Sequence, residues 1–160
     1  MVDFLLIGLM GVITYKDIFP LIKKGDVSFG WNRVVEFEDG LKFGNIRWFS
    51  NISDYCPPRL VLSKEYVEGY YKKYDNYDAI NIDRIEDIPG DYMGLIGVPV
   101  SFIDKYNSEQ FEIVGLFCDN RNDNHLINGD PRYIDEGHKS YVGPVIDGKA
   151  MYPRLLIRRK

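Results

Sequence analysis

Hydrophobic positions fall in two textures along this chain, dense and regular up to residue 53 and broken thereafter. The stretch DFLLIGL is apolar throughout once Asp3 is set aside, which is how a strand covered on both faces reads. Thr14 with Asp17 three residues on resembles a capping box, and Ile18, Phe19, Leu21 and Ile22 then recur at helical spacing until Gly25. Pro20 falls in the first turns, where it is tolerated. Residues 1–25 are therefore expected to form strand, loop and helix. In RVVEFEDGLKFGNIRWFSNI, two β-rich runs flank Asp39-Gly40, a dipeptide suited to a tight hairpin turn. Trp48 and Phe49 are adjacent on the second run, so they face opposite sides of the sheet.

From Asp54 the pattern loosens. DYCPPR marks a boundary, KEYVEGYYKKYDNYDAINI sets five tyrosines in a mostly polar segment, and DIPGDYMGLIGVPVSFIDKYN threads Gly and Pro between short apolar runs. Long regular helices are not expected here. EQFEIVGLF reads as a strand, and 119–139, rich in Asn, Asp and Gly, as a long loop. YVGPVIDGKAMYPRLLIRR then predicts a hairpin around Asp147-Gly148 and a last strand interrupted by Pro153. No repeat of useful period is present. The expected division is 1–53 and 54–160.

Composition narrows the class. With 160 residues, 45% hydrophobic and 14% aromatic, the chain can bury a core. The apolar start is soon followed by TYKD, too short a run to span a bilayer and without a basic leader. Cys56 and Cys118 lie far apart, and a reduced, cytoplasmic protein is the simplest reading. Lys and Arg number 20 against 24 Asp and Glu; residues 1–53 balance, so 54–160 carries the whole acidic excess. Autonomous nucleic-acid domains are usually basic. The main basic cluster, RLLIRRK with Arg154, Arg158, Arg159 and Lys160, reads more readily as a solubilising tail.

The search for chemistry is largely negative. His125 and His138 fall in the acidic loop region with no nucleophile beside a base, and with Cys56 and Cys118 they lack the paired short spacing of a zinc site. No metal is expected. GLMG at Gly8 and Gly11 and GLIG at Gly94 and Gly97 are too short for a phosphate loop, so these glycines are assigned to packing or turns. The scattered carboxylates form no pair suited to acid–base work.

Several long stretches nevertheless carry a resemblance. YDNYDAINI, IPGDYMGLIGVPVSFIDKYNSEQFEIVG and VIDGKAMYPRLLIRR resemble the C-terminal half of the adenine-specific DNA methyltransferases of the EcoRI type, enzymes of restriction-modification, while LLIGLMGVITYKDIFPLIKKG and IRWFSN are similar to the preceding part. The resemblance implies an α/β fold: the C-terminal part of a Rossmann-like methyltransferase sheet ending in an antiparallel β-hairpin, followed by an irregular α+β DNA-recognition region. It also implies methyl transfer from S-adenosylmethionine to the exocyclic amine of an adenine rotated out of duplex DNA. The family's catalytic Asn-Pro-Pro-Phe and its glycine-rich cofactor loop do not occur in this sequence; in CPPR, Cys56 and Arg59 replace the polar and aromatic residues required. Catalytic and cofactor-binding residues are therefore assigned to none of these positions. No bound cofactor is expected for the chain alone.

By the same resemblance, Trp48 or Phe49 stacks on the flipped adenine. Phe49 is favoured, since Trp48 has more area to bury and an N–H needing a partner; the alternative is that both are core. Asn51 reads as a turn residue. Asn76, Tyr77 and Asn81 are candidate DNA contacts, because Asn pairs bidentately with adenine and a tyrosine hydroxyl reaches phosphate, against the alternative of a polar strand edge. Lys72 and Lys73, with Arg158 and Arg159, are candidate phosphate partners. Tyr66, Tyr70, Tyr71 and Tyr74 read as a half-buried aromatic layer. Two functions remain open: a methyltransferase fragment, inactive alone and completed by a separate N-terminal half chain, or a non-catalytic module binding DNA or protein. Leu5, Leu6, Ile7 and Leu9 then form a strand lacking neighbours, and self-association is expected. Sizing at several concentrations should find species larger than the 18.6 kDa monomer; a strict monomer counts against the unpaired strand.

Overall fold

The structure, a computed structural model, describes residues 2–29, 34–36, 38, 40–52, 57–118 and 143–160; of Val34, Val35 and Phe43 only the backbone is described. Asp39, Cys56, His125, His138 and the predicted loop lie outside the described residues. The protein is mixed α/β with several sheets, divided into two compact units, Met1–Pro57 and Pro58–Lys160.

In the first unit, β1 (Leu5–Leu9) leads through a 3₁₀ segment (Met10–Thr14) to α1 (Phe19–Lys24), then to β2 (Ser28–Phe29), β3 (Val34–Glu36) and β4 (Lys42–Ser50). The helix begins later than the capping pattern predicts. The Thr14 hydroxyl donates back to the Gly11 carbonyl at 2.9 Å, which ties it to the 3₁₀ segment, and Pro20 takes a first-turn position. Gly25 ends the helix, its N–H returning to the carbonyls of Ile22 and Leu21. β4 is the long central element: β1 pairs antiparallel along one side, β2 and β3 along the other. Because β1 and β2 both run antiparallel to β4, they are parallel to one another, with β4 between them and α1 in the crossover. The β3–β4 hairpin matches the sequence pattern.

Ile13, Phe19, Ile22, Val27, Ile46 and Phe49 form the buried apolar set of this unit. β1 is the expected strand lacking neighbours: Leu5, Leu6, Ile7 and Leu9 are 59, 57, 45 and 52% exposed. Among the described residues only β4 lies beside it, so a composition suited to cover on both faces meets one neighbour and an open edge.

The second unit contains no α-helix among its described residues, against the expected α+β character. Its segments are too short and too rich in Gly and Pro to repeat a helical period, and they form 3₁₀ turns at Ile85–Asp87 and Val100–Lys105 instead. Its sheet has β5 (Ile80–Asn81), β6 (Ile96–Pro99), β10 (Arg154–Arg159) and β7 (Phe111–Phe117) in that order, parallel between β5 and β6 and otherwise antiparallel. β8 (Val145–Ile146) and β9 (Lys149–Ala150) form a separate hairpin.

RLLIRRK forms the predicted last strand, between β6 and β7: Leu155, Leu156 and Ile157 are fully buried, and Arg154, read with the other basic residues as part of a solubilising tail, is nearly so. Its apolar triplet outweighs the flanking charges, because the triplet fills the middle of the sheet while Arg158 and Lys160 lie exposed at its end. β6 lies close beneath Tyr74. A Cβ on Gly97 would overlap the Tyr74 hydroxyl, so only glycine fits there. Gly97→Ala should lower the urea midpoint, with a loss of about 1–3 kcal/mol as usual for an overpacked core; an unchanged midpoint would show that Tyr74 moves aside freely.

Candidate nucleic-acid interface

In the first unit, the two aromatics of β4 separate as strand alternation requires. Phe49 is 6% exposed, opposite Leu6 of β1 and Phe29 of β2, with its ring edge-on to Phe29 at 5.0 Å between centroids. Gly8 makes room for that ring, since a Cβ there would approach Phe49 Cε2 to 3.1 Å. Trp48, opposite Ile7, is half-buried. Asn51 does more than turn the chain: its side chain accepts the Phe4 N–H at 2.8 Å and donates to the Val2 carbonyl at 3.1 Å. The neighbouring Ser50 hydroxyl donates to the Phe4 carbonyl. These two residues hold the approach to β1 against the end of β4.

In the second unit, the candidates on 72–81 divide by what they touch. Asn81 is buried: its amide oxygen accepts the Tyr74 hydroxyl at 2.7 Å, and its nitrogen donates to Asp83 at 3.1 Å. Arg154 donates to the same Asp83 oxygen at 2.7 Å. Asn76 donates to the Gly143 carbonyl at 3.0 Å and accepts the Val145 N–H at 3.2 Å. The bidentate capacity that made both asparagines candidates for adenine is thus directed inward. Tyr77 stands half-buried over Phe117, ring centroids 5.4 Å apart, within the field of Arg158.

Lys72 is exposed and bonded to Asp147 at 2.6 Å, which raises the lysine and lowers the aspartate from their ordinary values. Lys73 is exposed. Arg158 lies 3.9 Å from Glu112, and Arg159 is partly exposed with its Nε buried. The tyrosine layer forms from Tyr66, Tyr70 and Tyr71 together with Tyr92, which the sequence reading missed; Tyr74 packs with Phe117 instead. Asp87 and Asp91 lie close enough to Tyr71 to raise its hydroxyl further.

Two features at the hairpin also escaped the sequence reading. The Asp75 carboxylate accepts the N–H groups of Asp147 and Gly148, at 3.3 and 2.8 Å, from behind the β8–β9 turn. Both turn residues have positive φ, 52° and 72°. The DG dipeptide signalled the turn, but no local pattern signalled the distant carboxylate.

A family model described as adenine-specific methyltransferase EcoRI matches residues 32–160, from before β3 to the end of the chain. The chain belongs to the EcoRI adenine-specific methyltransferase family. Curated members align with nearly all of it. The type II methyltransferase M.EcoRI of Escherichia coli is 32% identical, over 98% of this chain and 50% of that protein. M.MgeORF184P of Mycoplasma genitalium and M.MpnI of Mycoplasma pneumoniae, both type II methyltransferases, are 30 and 28% identical, over 99% of this chain and 57% of each. The chain thus spans about half the length of the curated relatives it matches. No solved structure matches it. Among the described residues, no helix is long and apolar enough to cross a membrane, and no group of His, Cys, Asp and Glu could hold a metal ion.

In this family member, burial raises the Tyr74 hydroxyl far above its ordinary value of 10.0, with Arg154 opposing part of the shift; Tyr71, Tyr77 and Tyr92 move the same way. The fold favours the protonated phenol, so its contribution is complete below the ordinary value and is lost as pH rises above it. The urea midpoint should therefore fall steadily above pH 10. Tyr74→Phe should cost about 1–3 kcal/mol at neutral pH, by stranding Asn81, and make the alkaline decline shallower. An equal decline in both proteins would remove Tyr74 from the account.

Proposed function

We propose that this chain supplies the C-terminal part of a DNA adenine-N6 methyltransferase. In this reading the first unit is the end of the Rossmann-like catalytic sheet, and the second, through Lys72, Lys73, Tyr77, Arg158 and Arg159, meets duplex DNA. The observation that carries the reading is β4, which runs antiparallel between two mutually parallel strands joined through a helix and bears the adjacent aromatics Trp48 and Phe49. That arrangement supports a sheet whose last strand lies near its centre, as the resemblance implies. An adenine rotated out of the duplex needs a flat surface to stack on. Phe49 is enclosed by Phe29 and Gly8, whereas Trp48 retains exposed surface, so Trp48 is the stacking residue.

In this reading S-adenosylmethionine, the methyl donor of such a reaction, is held by another part of the enzyme. Gly8 is abutted by the Phe49 ring and Gly97 by the Tyr74 hydroxyl, which supports reading these two as packing glycines. In-line methyl transfer requires donor and amine to be oriented together. This chain contributes base stacking and DNA contact to that step, and the groups that hold the donor and the amine lie in a separate N-terminal half. The open edge of β1 supports either pairing with strands of that half or self-association.

Mixing the chain with a separately expressed N-terminal half from the family, and measuring labelled methyl transfer to duplex DNA, tests the proposal. Activity is expected only in the mixture. Trp48→Ala should reduce catalytic efficiency about tenfold or more, in line with base–aromatic stacking of about 1–3 kcal/mol, while Phe49→Ala should act chiefly by lowering stability. Persistent inactivity under conditions where two halves of a relative recombine would favour the non-catalytic module.

A further inference from the structure

Asn76 and Asn81, whose chemistry suits an adenine edge, are engaged within the protein. Beside them the β8–β9 hairpin turns outward: every residue from Asp147 to Ala150 is exposed, as are Lys72 and Lys73. The hairpin has only two residue pairs, Val145 with Ala150 and Ile146 with Lys149, and a ribbon that short is not stable by itself. Its stability comes from elsewhere. Ile146 is buried in the cluster of Tyr74, Ala79, Phe117 and Leu156. Asp75 takes both turn N–H groups, Asn76 takes Gly143 and Val145, the Asp75 N–H reaches the Val145 carbonyl, and Lys72 holds Asp147. Asp147 is also the one non-glycine residue with positive φ among those described. That φ is what a two-residue Asp-Gly hairpin turn takes, so dipeptide and contacts together fix the course of the tip.

We propose that the tip of this hairpin, Asp147 to Lys149, reads base edges in the major groove of duplex DNA, with Lys72, Asp75 and Asn76 as its positioning residues. The inference rests on the reading that the second unit meets duplex DNA and adds where it reads sequence. The major groove admits a two-stranded ribbon. A carboxylate there accepts from the exocyclic amine of cytosine, and an ammonium donates to guanine O6 and N7, so Asp147 and Lys149 present opposite requirements two residues apart. Asp147 repels phosphate, and Lys72 beside it offsets that repulsion. The aspartate therefore adds discrimination rather than affinity. Because the ribbon is preorganised, little ordering accompanies its entry into the groove.

Selection of the full chain against a random-sequence duplex pool, followed by sequencing of the recovered DNA, tests this. The unaltered chain should enrich a motif. Asp147→Asn keeps a residue that tolerates the left-handed backbone but adds a donor, and Lys149→Gln removes the charge. Each should lose on the order of tenfold or more of the preference at one or two adjacent base pairs and keep the rest of the motif. Asp147→Gly, which relieves the positive φ, should show the same loss with no loss of thermal stability. Asp75→Ala should blunt the same positions, and Asp75→Asn, which keeps one of the two acceptors, should restore them in part. An identical motif and affinity from the Asp147→Asn, Lys149→Gln double variant would overturn the role of the hairpin and leave DNA binding standing. Failure of the unaltered chain to enrich any sequence would overturn the DNA reading and this inference with it.

Discussion

Every buried N–H and carbonyl must find a partner, and in a chain of short strands the sheets alone do not provide enough of them. Side chains fill the gap here. Asn51 binds Val2 and Phe4 as a neighbouring strand would. Gln110 does the same to both backbone groups of Leu60, at 2.7 and 2.8 Å, and secures the first residues of the second unit. Asn76 bridges Gly143 and Val145, and Asp75 closes the turn beyond them. Each such bond contributes only about 0.5–1.5 kcal/mol net, and the exposed ones least, since water can replace the side chain there. Together these amides and carboxylates help fix the course of the irregular segments.

The same requirement shapes the electrostatics. Lys72 bonds Asp147, Arg154 bonds Asp83, and Arg158 and Lys42 lie near Glu112 and Glu36. The exposed pairs add little stability. With a net charge of −4, the chain is poorly suited to hold DNA by general attraction. The DNA contact proposed for this unit therefore rests on particular groups held in place, the hairpin among them.

Much of the first unit was legible because its signals are local. The DFLLIGL run, the helix stopped by Gly25 and the hairpin before Trp48 all appear as strand, helix and hairpin. What failed was exact start: the helix begins at Phe19 because Thr14 bonds backward to Gly11. In the second unit, EQFEIVGLF, the DG hairpin and the last strand were legible, whereas the place of Arg154 was not. An arginine at the start of a basic run resembles part of a tail until its strand is known to lie between β6 and β7.

The sequence by itself determined the family, the alternation that sends Trp48 and Phe49 to opposite faces, and the turns at glycine. Those properties depend on backbone sterics and on long ordered runs of residues, both present in one dimension. Tertiary structure alone decided which aromatic keeps exposed surface and which polar groups look outward. An asparagine amide offers the same donor and acceptor to an adenine edge as to a peptide group, so residue type could not separate Asn76 and Asn81 from true base readers. Only the approach of Gly143, Val145, Tyr74 and Asp83 from elsewhere in the chain shows that their bonds are made internally.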